Sequence, residues 1–399
     1  QGQKILLTAG TLNNTGAIQA ESSLNATLTG NLTSGTGSKI TSNGSLALSA
    51  MGMTNAGQWI AKNLTLTANT LANSAEITGV DALDLTLAQR LENQARSKLL
   101  SAGALTLNAG AIVNAGQIQG SATRLTGSTL DNSGRVQGDA LSLNASDSLN
   151  NATGGVVLSQ NRLDVTSPVV VNQGTLQGGD AVVTAANRLQ NDGNILSANT
   201  VTLNSAEVTN GGLIQAVKLL VVVVKAINTG RFIATESAEL RGTTLTNSGT
   251  LQGAGLLLDY RNIANSGTVL GTSSLGVNSD EVNNSTSGRL FSAGDLFLES
   301  GTLRGDGQIV ALGDVTLKLV STLTHASTLA AGKTLAVTSQ GDITNTGVMQ
   351  GNGLAINAGV KFTNSGQLTA GNASSTFSAQ SILLNAAGSL SAGGDVMFT

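Results

Sequence analysis

The stretch Leu245 to Gly253, Leu-Thr-Asn-Ser-Gly-Thr-Leu-Gln-Gly, is copied from one end of the chain to the other, and a short unit repeated at a steady interval allows few folds. Read as a strand, with side chains alternating between faces, it puts Leu245, Asn247, Gly249 and Leu251 on one side and Thr246, Ser248, Thr250 and Gln252 on the other. One face is apolar with an amide set into it. The phrase returns as Ile112 to Ile118, Leu130 to Val136 and Phe362 to Leu368.

The Asn before each Gly traces the interval. Clear copies stand at Asn14, Asn55, Asn114, Asn132, Asn172, Asn191, Asn210, Asn228, Asn247, Asn265, Asn345 and Asn364. Looser copies place Gly35, Asn73, Asn93, Asn151, Asn284, Gly305, His325 and Ala386 in the same slot. The steps are roughly 18 to 22 residues, so about twenty units fill residues 1–399 as a single array with no room for a separate domain.

Each unit carries two strand-like pieces. The first reads Leu64-Thr65-Leu66-Thr67-Ala68 or Leu105-Thr106-Leu107-Asn108-Ala109, and the second is the Asn phrase. Parity shifts between them, from odd Leu107 and Ala109 to even Ile112 and Asn114, so a corner is expected there. Helix is disfavoured throughout by dense Thr, Val and Ile and by the lack of three-and-four spacing. Leu83, Leu87 and Leu91 are four apart in Asp81 to Leu100, yet that segment also fits the repeat as strand, corner and Asn93.

A short strand cannot hide its apolar face alone. Pairing with its equivalent one repeat later gives a parallel coil, and about twenty rungs at about 4.8 Å make a rod on the order of 95 Å. Leucine then stacks on leucine and Asn on Asn. An interior amide ladder meets its hydrogen-bonding needs from the copies above and below, which removes the cost of burying an unpaired polar group. The expected ladder comprises Asn55, Asn114, Asn132, Asn172, Asn191, Asn210, Asn228, Asn247, Asn265, Asn345 and Asn364, and Gly35, Gly305, His325 and Ala386 are expected to break it.

Composition agrees with a thin, regular interior: 50 Gly against 1 Pro, 11% charged and 2% aromatic residues. The formal charge of −3 comes from 20 basic and 23 acidic residues scattered singly, so nucleic acid is not an expected partner. With no Cys, thiol chemistry and disulfides are excluded. The apolar run Val217 to Lys225 is cut by Lys218 and Lys225 and is far short of the about 20 residues a spanning helix needs; it reads as a strand buried on one side, not a membrane insertion.

The runs Leu6-Leu7-Thr8-Ala9-Gly10 and Leu12-Asn13-Asn14-Thr15-Gly16-Ala17-Ile18-Gln19-Ala20 resemble the repeats of filamentous haemagglutinins and contact-dependent-inhibition exoproteins of Gram-negative bacteria, and the likeness covers essentially the whole chain. It implies an all-β, right-handed parallel β-helix of about twenty coils of about 20 residues. It also implies export through the outer-membrane transporter of a two-partner secretion system and display at the cell surface, as an adhesin stalk or a filament that presents a toxin. The family's N-terminal secretion domain carries Asn-Pro-Asn motifs, whereas the one proline here is Pro168, after Ser167; residues 1–399 are expected to be an excised piece of a longer exoprotein.

Two other function classes are open to a chain of this kind. A target-cell receptor could be bound directly, making the array an adhesin, and the tripeptide Arg304-Gly305-Asp306 is the one integrin-type motif, although Gly305 falls in the Asn slot where little protrusion is expected. Polysaccharide-acting β-helix enzymes need converging acids. Asp84, Asp131, Asp164, Asp192 and Asp259 fall at different repeat positions, and Asp81 with Asp84, and Asp280 with Glu281, are only local pairs. The single His325, without Cys or a second His, makes no metal set, so no catalytic residue, metal or cofactor is assigned. The expected role is structural: a stalk that holds a distal adhesin or toxin-delivery region away from the cell.

Overall fold

The computed structural model describes all residues, Gln1–Thr399. It is all-β, and every strand pairing recorded between successive turns is parallel, for example Glu76–Asn93 on Gln58–Asn73. By internal contacts the chain divides into two compact units, Gln1–Val201 and Thr202–Thr399. Each is a parallel β-solenoid with turns of about 19 residues.

In the first unit several of the expected short strands are merged, while others, such as Leu32–Ser34 and Lys98–Ser101, stay separate. Gln58–Asn73 and Glu76–Asn93 each run through almost a full turn, bending within the strand, and are interrupted only after the slot Asn. The bends show as register irregularities, such as that between Ala109 and Ala111, close to where the parity shift placed a corner. Bending inside one strand keeps the backbone ladder paired around the corner, so few N–H groups are left for water.

The alternation sets the interior. Leu64 aligns with Leu83, Leu66 with Leu85, Leu71 with Leu91 and Trp59 with Ile77. All of these side chains are buried. Burial of each leucine contributes about 1.5–3 kcal/mol, and since every turn repeats the tiers, stability accumulates turn by turn. The outward positions are chiefly Thr, Ser and Asn, as in the aligned column Thr67, Thr86 and Asn108.

The second unit, after Thr200–Asn210, carries the same long strands, Leu213–Asn228, Arg231–Asn247, Thr250–Asn265 and Thr268–Asn284. From Arg289 they become shorter, as in Arg289–Ser292, Gln308–Ala311 and Leu323–His325. A separate small sheet stacks Leu323–His325, Ile343–Asn345, Lys361–Asn364 and Ser381–Leu384. The apolar run in Leu213–Asn228 is a one-sided strand: Val221 and Val223 are buried, and Val222 and Val224 face outward. No helix is long and apolar enough to cross a membrane.

Candidate functional site

The most ordered polar feature of each unit is its row of slot asparagines. In the first unit the Nδ2 of Asn55 donates to Oδ1 of Asn73 at 2.9 Å, and the same bond links Asn73 to Asn93, Asn93 to Asn114 and Asn114 to Asn132. It continues from Asn132 to Asn151, Asn172 and Asn191. In the second unit Asn210, Asn228, Asn247, Asn265 and Asn284 form an equivalent row, with every link at 2.8 or 2.9 Å. Asn345 to Asn364 adds an isolated link at 2.8 Å.

These side chains are almost wholly buried, which polar amides tolerate only when paired. Each amide has a second task. The Oδ1 of Asn55 accepts from the Gly57 N–H at 3.0 Å, and its Nδ2 also donates to the Glu76 carbonyl at 3.2 Å. One Asn therefore closes its own corner and fastens the next turn. A Ser or Thr hydroxyl, with a single proton, could not donate both to the amide and to the carbonyl of the next turn.

Two slot assignments made from sequence are corrected by the register. Asn14 aligns with Ser34, and Ser34 with Asn55, so Ser34 occupies the slot and Gly35 lies in the corner beyond it. Leu384, not Ala386, aligns with Asn364. The cause is the same in both places: Gly35-Thr36-Gly37 and Ala386-Ala387-Gly388 imitate the Asn-x-Gly spacing within four-residue corners. Ser34 has a specific partner, since its Oγ accepts from the Trp59 indole N–H at 2.8 Å. The smaller slot residue leaves space and an acceptor for the chain's one tryptophan.

Gly305 follows directly on Arg304, which aligns with Asn283, and a side chain on Gly305 would collide with the backbone of Asn284. It lies in the stack at φ 86°, a left-handed conformation that suits glycine. Arg304 is held by Glu281 at 3.1 Å. The Arg304-Gly305-Asp306 segment is thus laid against the preceding turn, with Asp306 exposed. His325 aligns with Asn345. Its ring is buried, its Nε2 has no partner, and burial holds it below the usual histidine range against the opposing pull of a hydrogen bond with the Ser327 backbone and of Asp306.

The carboxylates stand apart. Asp81 pairs with Lys62 at 3.5 Å, Asp164 with Arg162 at 2.7 Å, Asp131 accepts from Asn150, and Asp259 accepts from Asn278. No three acidic or histidine side chains gather as a metal-binding group would. Tyr260 is the other unusual buried group: its hydroxyl has no partner, and burial pushes its pKa well above the usual tyrosine range.

Similarity to known proteins follows the repeat. The haemagglutinin repeat model matches residues 8–95, 84–153, 136–193, 160–255, 291–347 and 348–396. The tRNA nuclease CdiA of Escherichia coli (strain NC101) is 56% identical over 399 residues, which is 99% of this chain and 12% of that protein. The 16S rRNA endonuclease CdiA of Enterobacter cloacae subsp. cloacae is 58% identical over 328 residues, or 82% of this chain and 10% of that protein. The deoxyribonuclease CdiA of Dickeya dadantii (strain 3937) is 34% identical over 99% of this chain and 10% of its own length. This chain thus spans only 10–12% of the length of these curated relatives. No solved structure matches it. With the repeat model matched along most of its residues, the chain belongs to the haemagglutinin repeat family.

Proposed function

We propose that this chain is repeat stalk throughout, a segment of a contact-dependent-inhibition exoprotein that holds a toxin-delivery region away from the producing cell. The observation that carries the reading is a contrast among relatives. Proteins named for cutting tRNA, 16S rRNA and DNA share this segment at 56, 58 and 34% identity. A segment common to three different targets is not what selects the target. Its scattered carboxylates fit a chain with no catalysis of its own.

The segment acts mechanically. Nearest-neighbour stacking supplies length, the amide rows fix register, and a low-charge Thr, Ser and Asn exterior stays wetted. In this reading the parent protein is exported through an outer-membrane transporter and displayed on a Gram-negative surface, and a target-cell receptor engages a different part of it. The test is a swap within such a parent. Replacing this segment by an equal number of turns from an unrelated haemagglutinin repeat should leave surface display and target-cell killing unchanged. If killing is lost while display is preserved, the segment has a specific role and the stalk reading fails.

A further inference from the structure

After most slot residues the chain turns through two residues before the next strand, as at Ala56-Gly57 and Ser74-Ala75. Ser34 and Asn93 are instead followed by four, Gly35 to Ser38 and Gln94 to Ser97, before the strands resume at Lys39 and Lys98. These taller corners stand on either side of the two short ones. Between them lies a cleft of about 370 Å³ whose floor is the small residues Ala56, Gly57 and Ala75.

Both walls are fixed. Ser38 Oγ donates to the Gly35 carbonyl at 2.7 Å, and Ser97 Oγ lies within hydrogen-bond distance of the Gln94 carbonyl and of Asn93 Oδ1, at 2.5 and 2.6 Å. The third corner residue has a positive φ of 76° at Gly37 and of 84° at Gly154 in another tall corner, where glycine relieves the crowding, whereas Ser287 and Ala387 hold that place in the tall corners after Asn284 and Leu384 without it. Arg96 holds the same place at φ 70° and is the only non-glycine residue of the chain in that conformation. A non-glycine residue at that φ carries a local conformational cost, and Arg96 bears it while its side chain is exposed.

The charges make sense of that placement. Lys39 aligns with Gln58, Gln58 with Glu76 and Glu76 with Lys98, forming one outward column beside the cleft. At about 4.8 Å per turn its two lysines are about 14 Å apart, and Arg96 overhangs the Lys98 end. Ion pairs form elsewhere in this unit, at Lys62 with Asp81 and Arg162 with Asp164, but Lys39, Arg96 and Lys98 have none. The Glu76 carboxylate accepts from Thr78 Oγ1 at 3.1 Å. Three free cations and one carboxylate thus line one concavity on a chain whose formal charge is −3.

We propose that this cleft binds a saccharide carrying a phosphate monoester, with Arg96 and Lys98 taking the phosphate and Gln58 and Glu76 meeting sugar hydroxyls. Arginine offers a planar fork that matches two phosphate oxygens, and lysine adds a point charge. Glu76 accepts from hydroxyls and repels an anion at mid-cleft, which directs the phosphate to the Arg96 end. The Ala and Gly floor lets a ring approach the backbone. This assignment adds a ligand to the segment and stands or falls independently of the stalk reading.

The test is calorimetric titration of the intact chain with glucose 6-phosphate, glucose, inorganic phosphate, and a phosphorylated outer-membrane core oligosaccharide before and after phosphatase treatment. Saturable binding that needs both sugar and phosphate is expected. It should weaken at least about tenfold in Arg96→Gly and in Lys98→Gln, in line with the loss of a charge-assisted contact. Arg96→Gly should melt at the same temperature as the parent or higher, because glycine suits the corner. Tighter binding of the oligosaccharide than of glucose 6-phosphate identifies a surface glycan as the source of the ligand, and the reverse identifies a free sugar phosphate. The proposal is overturned if neither phosphorylated probe binds, if inorganic phosphate binds as tightly as either of them, if the two variants bind like the parent, or if Arg96→Gly melts lower.

Discussion

At the scale of single residues, the slot asparagines divide by how many neighbours they serve. Asn132 accepts from Asn114 and donates to Asn151, so Asn132→Ala strands a donor on one turn and an acceptor on another. A loss of about 2–4 kcal/mol is expected by chemical denaturation. Asn14 donates only to the Lys39 carbonyl, at 3.1 Å, and Asn14→Ala should cost no more than about 1 kcal/mol. Equal losses would contradict a ladder that stabilises through its interior links. The opposite sign is expected at Tyr260, whose buried hydroxyl has no partner: Tyr260→Phe should leave stability unchanged or raise it by about 1 kcal/mol. The sequence displayed most of the asparagine slots because their period is stated by the residues themselves. It hid the Ser34 and Trp59 pair, because the partners are 25 residues apart and only the stacking of turns brings them together. It hid Arg96 as well, since a positive φ leaves no mark on a residue that is not glycine.

At the scale of elements, the sequence indicated strand direction and facing, while strand length escaped it. Gly, Ser and Asn between the two apolar pieces suggested breaks, yet Glu76–Asn93 bends through its corners without losing its pairing to Gln58–Asn73. Two tall corners imitate the repeat phrase, so the slots lie one or two residues before the Gly35 and Ala386 that the phrase suggests. Where the amide row is interrupted at Gly305 and His325, the strands are also short, and this region should respond to acid. His325 is held neutral in the fold by burial, with Asp306 as the charge acting on it and the Ser327 backbone and Asn345 as its neighbours. Its folded pKa is therefore below that of the unfolded chain. Above the ordinary histidine value of about 6.5 both states are neutral and stability does not depend on this group. As pH falls below that value the unfolded state takes up a proton that the folded state resists, and stability drops by at most about 1.4 kcal/mol per pH unit until the folded pKa is passed. Denaturation curves between about pH 7 and 5 should show this slope in the parent and its loss in His325→Asn. A slope unaltered by the substitution would assign the acid response to other groups.

At the scale of the whole molecule, the period is the unit of tolerance. Asn114 and Asn132 are 18 residues apart and linked, so deleting residues 115–132 removes one complete turn and joins Asn114 to Ser133 in the place of Ala115. The shortened chain should keep its β-sheet circular dichroism per residue and melt within a few degrees of the parent. Deleting only 115–123 turns inward positions outward and should abolish cooperative melting. Equal behaviour of the two deletions would deny that stability is a sum over stacked turns. That much was legible in the sequence, because periodicity is a property of the chain as a whole, whereas a cleft between two unequal corners is a property of three dimensions. The amide rows have one further consequence, which is electrical. Every Nδ2 in Asn210, Asn228, Asn247 and Asn265 points to the oxygen of the next turn, so the side-chain dipoles add along the stack instead of cancelling. Enclosed by aliphatic side chains, such a row is a permanently polarised thread with its positive pole toward Asn284, much as aligned peptide units polarise a helix.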